Sequence, residues 1–381
     1  MTQLSQEEQQ RYSRHLVLPE VSLAGQRLLK QARVLCVGVG GLGSPVALYL
    51  AAAGIGRLGL VEFDDVDLSN IQRQVLYSSA DVGRPKLAAA CARLRQLNPH
   101  VELVPHDLRL DAGNIMSMVE GYDILVYGSD NFPTRYLVND AAVLSGKPNV
   151  HASVYRFEGQ LSVFDAARGP CYSCLFPEPP PASLVPSCVA GGVLGMLPGI
   201  LGSLQALEVV KLIVGCGEPL IGRLLVFDGL GASFRDLRVT KDPDCGICGA
   251  ASSLQAPRAS PYAAETCAVQ AQDATAVPGI TVEEFVAESQ HNQRIQLIDV
   301  RAPHEHDIAQ IPGALLIPLA KLPQRLAELD VTRRYVVACH RGGRSRQAYV
   351  LMRAAGFQQV EVLEGGLDAW AERIDPSMAR Y

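Results

Sequence analysis

Short apolar runs alternate with helix-like segments over most of this chain. Val34-Leu35-Cys36-Val37-Gly38 reads as a strand, a helix follows from about Ser44, and Leu58 to Glu62 reads as a second strand. A further helix spans about Pro85 to Gln96, with strands over Val101 to Val104 and Ile124 to Tyr127. Such alternation predicts βαβ units and a mainly parallel sheet. The pattern lapses over residues 249–278, rich in Ala, Ser, Pro and Gln, and resumes with Ile295 to Asp299, Ala314 to Ile317, Tyr335 to Cys339 and a helix from Ser345 to Ala355. The reading is therefore two α/β domains, 1–248 and 279–381, joined by a flexible linker over 249–278. About 30 linker residues have a typical end-to-end distance of roughly 30 Å and a limit of about 100 Å, enough for the domains to change relative position.

Composition adds bounds. Apolar residues make up 48% of the 381 and charged residues 19%, ordinary for a folded globular chain. A net charge of -5 and the lack of a basic stretch interleaved with aromatics argue against nucleic acid as a ligand. The longest uncharged apolar run, Cys188 to Leu204, is broken by six Gly or Pro residues and reads as a loop and core helix, not a membrane span. Met1 to Gln10 is polar, without the pattern of a secretory signal, so the expected location is cytoplasmic. In that reducing compartment ten cysteines point to metal or thiol chemistry.

Gly38-Val39-Gly40-Gly41-Leu42-Gly43 lies between a strand and a helix, where glycines let backbone approach phosphates. Glu62, 19 residues past Gly43 at the end of the next strand, is placed to bind a ribose hydroxyl. Those features suit ATP and NAD alike. The segment from Asp64 through Ser69, Asn70 and Arg73 to Gln74, and Gly83 to Lys86, offer cations and amides suited to a triphosphate, beyond what hydride transfer needs. Asp130-Asn131 adds a carboxylate able to hold Mg²⁺.

Together with Arg11-Tyr12-Ser13-Arg14 and Gly202 to Glu208, these motifs resemble the molybdopterin-synthase adenylyltransferase family, relatives of the thiamine-pathway sulfur-carrier activators and of ubiquitin-activating enzymes, over residues 8–250. The resemblance implies a Rossmann-like adenylation domain in which Gly41, Glu62, Asn70, Arg73, Lys86 and Asp130 bind ATP and Mg²⁺. It implies a homodimer in which Arg14 reaches the phosphates of the partner subunit's site. The family often has Asp where this chain has Glu62. Its substrate is the C-terminal glycine carboxylate of a small ubiquitin-like sulfur-carrier protein ending in Gly-Gly. AMP supplies the leaving group a carboxylate lacks, and Arg73, Lys86 and Mg²⁺ offset charge developing on the phosphates.

Cys171-Tyr172-Ser173-Cys174 and Cys245-Gly246-Ile247-Cys248 form two C-x-x-C pairs, the four-thiolate pattern of structural Zn²⁺. A redox C-x-x-C is the alternative, but such motifs do not normally come in pairs. Cys188 lies between a Pro-rich segment and Gly191-Gly192. In the resembled family a cysteine here is a candidate acceptor for a thioester or acyl disulfide. A buried apolar role for Cys188 stays equally open. Cys36, Cys91 and Cys216 read as core residues, and Cys267 has no visible partner.

Cys339-His340-Arg341-Gly342-Gly343-Arg344 follows a strand and precedes a helix, so backbone N–H groups and the helix dipole would stabilise a thiolate. Arg341 and Arg344 add charge for an anionic sulfur donor. With Leu297 to Arg301, Glu305, Ile311 to Ala314 and Glu364 to Trp370, the loop resembles that of rhodanese-type sulfurtransferases over roughly 279–375. There the cysteine carries a persulfide, and Asp299 with Arg301 would brace the fold. A C-x₅-R phosphatase is the rival, but four residues separate Cys339 from Arg344 and Ser345 stands where the phosphatase arginine would be.

The combined expectation is ATP-dependent adenylation of the carrier followed by attack of Cys339 persulfide sulfur to give a thiocarboxylate. Sulfur would come from thiosulfate or a cysteine desulfurase persulfide. Molybdenum cofactor biosynthesis is the favoured pathway, with thiamine, cysteine, tRNA-thiolation and siderophore pathways as alternatives. A nicotinamide oxidoreductase leaves Arg73, Lys86 and Asp130 without a task. A zinc-stabilised scaffold for a ubiquitin-like protein leaves Asp130 and Cys339 without one.

Overall fold

A computed structural model describes residues 3–129, 131–179, 192–258, 277–291 and 294–380. The chain forms two compact units, Met1–Ala264 and Glu265–Tyr381.

The first unit is built on strands β1 (Arg33–Val37), β2 (Arg57–Val61), β3 (Glu102–His106), β4 (Ile124–Tyr127), β5 (Asn149–Tyr155), β6 (Glu158–Phe164), β7 (Arg223–Asp228) and β8 (Ser233–Arg238), in the order β3-β2-β1-β4-β5-β6-β7-β8. The five from β3 to β5 are parallel, and β6, β7 and β8 continue the sheet antiparallel. The parallel half was legible because β1 and β4 are buried on both faces and so consist of continuous apolar residues. The antiparallel half was not: β8 is exposed on both faces and shows no alternation.

Strand order reverses between β1 and β4, opening a crevice at their carboxyl ends. Helix Gly43–Ala53 follows β1 closely because Gly43 has no side chain: a Cβ there would lie 1.9 Å from the Gly38 carbonyl oxygen. Helix Met196–Val214 is, among the described residues, the helix long and apolar enough to cross a membrane. In this fold it packs on helix Gly43–Ala53 and on β5 and β6, burying Leu197, Leu201, Ala206 and Val209. Gln205 ties it down by donating to the Tyr127 and Val150 carbonyls, and Glu208 accepts from the Leu220 amide.

Residues 249–258 do not leave the unit at once. Leu254 packs against the four-cysteine cluster, and Arg258 forms an ion pair with Asp140, whose side chain is fully buried in helix Phe132–Ser145. A buried carboxylate requires a partner, and the Pro- and Ala-rich composition of this stretch gave no sign that it supplies one.

The second unit holds β9 (Gly279–Ile280), β10 (Ile295–Asp299), β11 (Leu315–Leu316), β12 (Arg334–Ala338) and β13 (Val360–Leu363), all parallel, in the order β11-β10-β12-β13-β9. Helix Gly343–Ala354 follows the central β12, and helix Gly366–Arg373 follows β13.

Candidate functional site

The glycine loop after β1 is held by hydrogen bonds that converge on Val39. Its amide donates to the Glu62 carboxylate, and its carbonyl accepts from the Ser44 and Tyr77 hydroxyls. Glu62, buried at the end of β2, also accepts from the Phe63 and Asp64 amides. Its carboxylate thus orders the loop as well as facing the crevice. The link continues outward: the Lys86 amide donates to the Asp64 carbonyl, and the Lys86 Nζ pairs with the Asp64 carboxylate at 3.1 Å. Lys86 is buried and stands at the first position of helix Lys86–Leu97, where the helix dipole opposes a cation. Asp64 offsets that unfavourable placement.

The segment Ser69 to Gln74 folds over the same loop. Arg73 donates to the Ser69 carbonyl at 2.8 Å, and its Cδ lies 3.9 Å from where a Gly41 Cβ would stand. Asn70 is half-buried and its carbonyl accepts from the Gln74 amide. Gly41, Glu62, Asp64, Ser69, Asn70, Arg73 and Lys86 therefore come together around one crevice. Asn131 caps helix Phe132–Ser145: its Oδ1 accepts from the Thr134 amide and its Nδ2 donates to Ser129 Oγ, so its side chain is spent within its own loop. Arg14 is exposed and makes no hydrogen bond or ion pair among the described residues. Asp130 and Cys188 lie outside the described residues, as does Cys267.

Sequence reasoning passed over Arg135. Its guanidinium lies beside Tyr127 and Tyr172, residues 45 positions apart in sequence, so no local motif announces it.

The four thiols of Cys171, Cys174, Cys245 and Cys248 lie within 4.8 Å of one another, and none forms a disulfide. Three of the S···S distances are 3.8, 3.7 and 3.4 Å. A tetrahedron with Zn–S bonds of about 2.3 Å requires about 3.8 Å, so the cluster could hold zinc. Burial pushes the Cys171 thiol far up and the Cys248 thiol up to about 11. A bound cation would offset that cost, since metal ligation requires the thiolate form. Asn139 aligns the first pair: its Oδ1 accepts from the Tyr172 amide and its Nδ2 donates to Ser173 Oγ.

In the second unit Cys339 leaves the end of β12 and its sulfur accepts from the Gly342 amide at 3.1 Å. Gly342 has φ +108°, a conformation side chains resist, and it caps helix Gly343–Ala354. The Ser345 hydroxyl lies 3.5 Å from the sulfur and donates to the Gly342 carbonyl. The backbone thus cradles the sulfur at a helix N-terminus.

The charges around this loop differ from expectation. Arg344 is bound in both its terminal nitrogens by Glu305, at 2.5 and 2.6 Å. Burial disfavours the Glu305 charge, but Arg344 and the Ala302 amide outweigh it and hold the carboxyl at about 2. Arg341 is exposed and faces Asp368 at 3.4 Å. Both arginines expected to meet an anionic donor are thus paired with acids, Arg344 with Glu305 and Arg341 with Asp368. Half-burial and Arg341 lower the His340 pKa. Asp299 and fully buried Arg301 form a pair that also reaches the Glu305 and Ala309 carbonyls, the bracing role read from sequence.

A glycine-loop crevice at the switch point of one α/β unit and a cradled sulfur in another are the arrangement of a nucleotidyltransferase domain joined to a sulfurtransferase domain. The sequence matches the ThiF family over residues 12–247 and the rhodanese-like domain over 281–373. The chain belongs to the ThiF family, with a C-terminal rhodanese-like domain, and is an adenylyltransferase and sulfurtransferase. It is 46% identical to the probable adenylyltransferase/sulfurtransferase MoeZ of Mycobacterium tuberculosis, over 99% of this chain and 96% of that one. It is 43% identical to the adenylyltransferase and sulfurtransferase MOCS3 of Bos taurus, over 99% and 89%. Among solved structures it is similar to E. coli MccB crystallised with ATP, at 25% identity and a TM-score of 0.56, covering 62% of this chain and 74% of that one.

Proposed function

We propose that the first unit uses ATP and Mg²⁺ to adenylate the C-terminal glycine carboxylate of a small ubiquitin-like sulfur-carrier protein ending in Gly-Gly. Persulfide sulfur on Cys339 then attacks the acyl adenylate, releasing AMP and leaving an acyl disulfide; a second thiolate attacking the Cys339 sulfur expels the thiocarboxylate, and an external thiol reduces the resulting disulfide. The observation that carries this reading is the occurrence in one chain of the anion crevice around Gly41, Arg73 and Lys86 and the cradled Cys339 sulfur. One centre creates an acyl electrophile and the other offers a soft nucleophile, a pairing neither an oxidoreductase nor a scaffold needs.

Glu62, Asn70, Arg73 and Lys86 would hold the nucleotide, and Asp130 the Mg²⁺. Cys188 is proposed as a relay for the acyl group, and Cys171, Cys174, Cys245 and Cys248 as ligands of a structural zinc. We further propose a cytoplasmic homodimer. Exposed Arg14, next to exposed Val17 and Leu18, supports an intersubunit role for it, and the unpaired state of the described cysteines supports a reducing compartment. Thiosulfate or a desulfurase persulfide would load Cys339. Molybdenum cofactor biosynthesis is the proposed pathway, on the resemblance of residues 8–250 to the molybdopterin-synthase adenylyltransferase family.

The test is Cys339→Ala in the whole chain. Carrier-dependent pyrophosphate exchange should persist at wild-type rate while thiocarboxylate formation stops. Unchanged thiocarboxylate yield would sink the coupling of the two units.

A further inference from the structure

Two cations buried among the described residues are matched with acids: Arg301 with Asp299, and Lys86 with Asp64. Half-buried Arg135 has aromatic neighbours instead. Its guanidinium lies 4.4 Å from the ring centre of Phe132, 5.5 Å from Tyr127 and 5.8 Å from Tyr172. It donates to the Tyr172 hydroxyl at 3.3 Å, its Nε is buried without a partner, and no carboxylate pairs with it among the described residues. Asp140, little more than a turn further along the same helix, is taken by Arg258. The His151 ring stacks on Tyr127, and burial, with Arg135 nearby, keeps it well below its usual pKa and hence neutral. Aromatic faces offset part of the cost of desolvating a cation, but they do not supply a counter-charge.

The Arg135 cluster adjoins the glycine loop through β4. Tyr127 is the last residue of β4, its hydroxyl donates to the Asn131 carbonyl, and the next residue, Gly128, packs against Gly38 and Gly43. Arg135 stands in the first turns of the helix that begins after that loop. Arg73 and Lys86 lie on the other side of the glycine loop, with the segments that follow β2.

We propose that Arg135 is the residue that binds the carboxylate to be activated, holding it for attack on ATP. This rests on the adenylation reading above and adds a residue to it. A planar guanidinium whose hydrogen-bonding neighbours are the tyrosine hydroxyls of Tyr127 and Tyr172 rather than a carboxylate matches a planar carboxylate, and aromatic walls suit the slender apolar stem of a terminal glycine. In the step itself a carboxylate oxygen attacks the α-phosphorus and the bond to the bridging oxygen of the β-phosphate breaks. Pyrophosphate leaves with the electron pair, so no oxidant or reductant is needed. A phosphate of ATP is the other source of an oxyanion here, and kinetics separate the two.

The probe is a small ubiquitin-like protein ending in Gly-Gly that supports pyrophosphate exchange with the wild-type chain, prepared with a free C-terminus and as its C-terminal amide. For Arg135→Ala the KM for the free-acid protein should rise at least about tenfold, with the KM for ATP within about twofold. The wild type should bind the acid more tightly than the amide, and the variant should bind them alike. Arg135→Lys, which keeps charge but loses the planar fork, should fall between, and equal thermal unfolding of all three proteins guards against a misfolded variant. A rise in the KM for ATP instead would place phosphate on Arg135 and overturn the proposal, as would an acid-over-amide preference that survives in Arg135→Ala. Failure of every such protein to support exchange with the wild type would overturn the adenylation reading itself and this proposal with it.

Discussion

Arg258→Ala should destabilise the first unit while leaving the second untouched. Arg258 gives the Asp140 carboxylate three hydrogen bonds, from Nε at 2.8 Å, Nη2 at 3.0 Å and the backbone amide at 3.1 Å. The Asp140 side chain has no exposure, whereas Arg258 is 43% exposed. Breaking a fully buried pair costs about 3–5 kcal/mol, and water reaching Asp140 through the gap left by a half-exposed partner lowers that to about 2–3. For a unit of this size such a loss shifts the unfolding temperature by about 4–12 °C. The chain has one tryptophan, Trp370, buried in the second unit. Tryptophan fluorescence therefore follows that unit alone, while far-ultraviolet circular dichroism follows both. The variant should lower the dichroism transition and leave the fluorescence transition in place. Adding Asp140→Asn to Arg258→Ala should recover at least about 1 kcal/mol, because the stranded charge is gone. A shift under about 1 °C, or no recovery in the double variant, would refute the claim that residues 249–258 complete the first unit.

Lys86→Met should lower kcat/KM for ATP by about 100-fold or more in pyrophosphate exchange, and a change within about threefold would remove Lys86 from the phosphate site. Cys248→Ser should reduce bound zinc, read by elemental analysis, from one per chain to near none, and lower the thermal transition of the first unit. Retention of the full metal content would show that Cys248 is not a ligand. Glu305→Gln tests the brace on the sulfur loop. Because Glu305 titrates at about 2 in the folded unit against 4.5 unfolded, its charge stabilises the fold above about pH 5 and the benefit fades as pH falls toward 2. That is worth up to about 3 kcal/mol, so tryptophan-monitored stability should fall more steeply with acid in the wild type than in the variant. Parallel pH profiles would count against the ion pair.

What the sequence disclosed follows from how local each feature is. The glycine loop, β1, β2 and the sulfur loop each lie within a few consecutive residues, and their strands are mostly apolar after a leading arginine, so their nature and place were plain. The four cysteines were legible because each pair is local and the residue type is specific. Charges were harder. Glu305 and Arg344 are 39 residues apart, and Asp140 and Arg258 are 118 apart, so neutralisation of one by the other appears only in the folded units. Arg135 was missed for the same reason: its aromatic walls come from β4, the first C-x-x-C pair and its own helix.

Asn139 and Asp140, neighbours on one helix, grip the first cysteine pair and the departing chain respectively. The covalent tether to the second unit is then measured from Arg258, not from Cys248. Twenty residues, 259–278, lie between Arg258 and β9, so the tether cannot exceed roughly 70 Å, against about 100 Å for the whole 30-residue stretch. For a flexible tether the effective concentration falls as about the −3/2 power of length, so shortening it from about 30 to about 20 residues raises that of Cys339 at any acceptor within reach about twofold. One ion pair on the first unit thereby sets a kinetic property of the second.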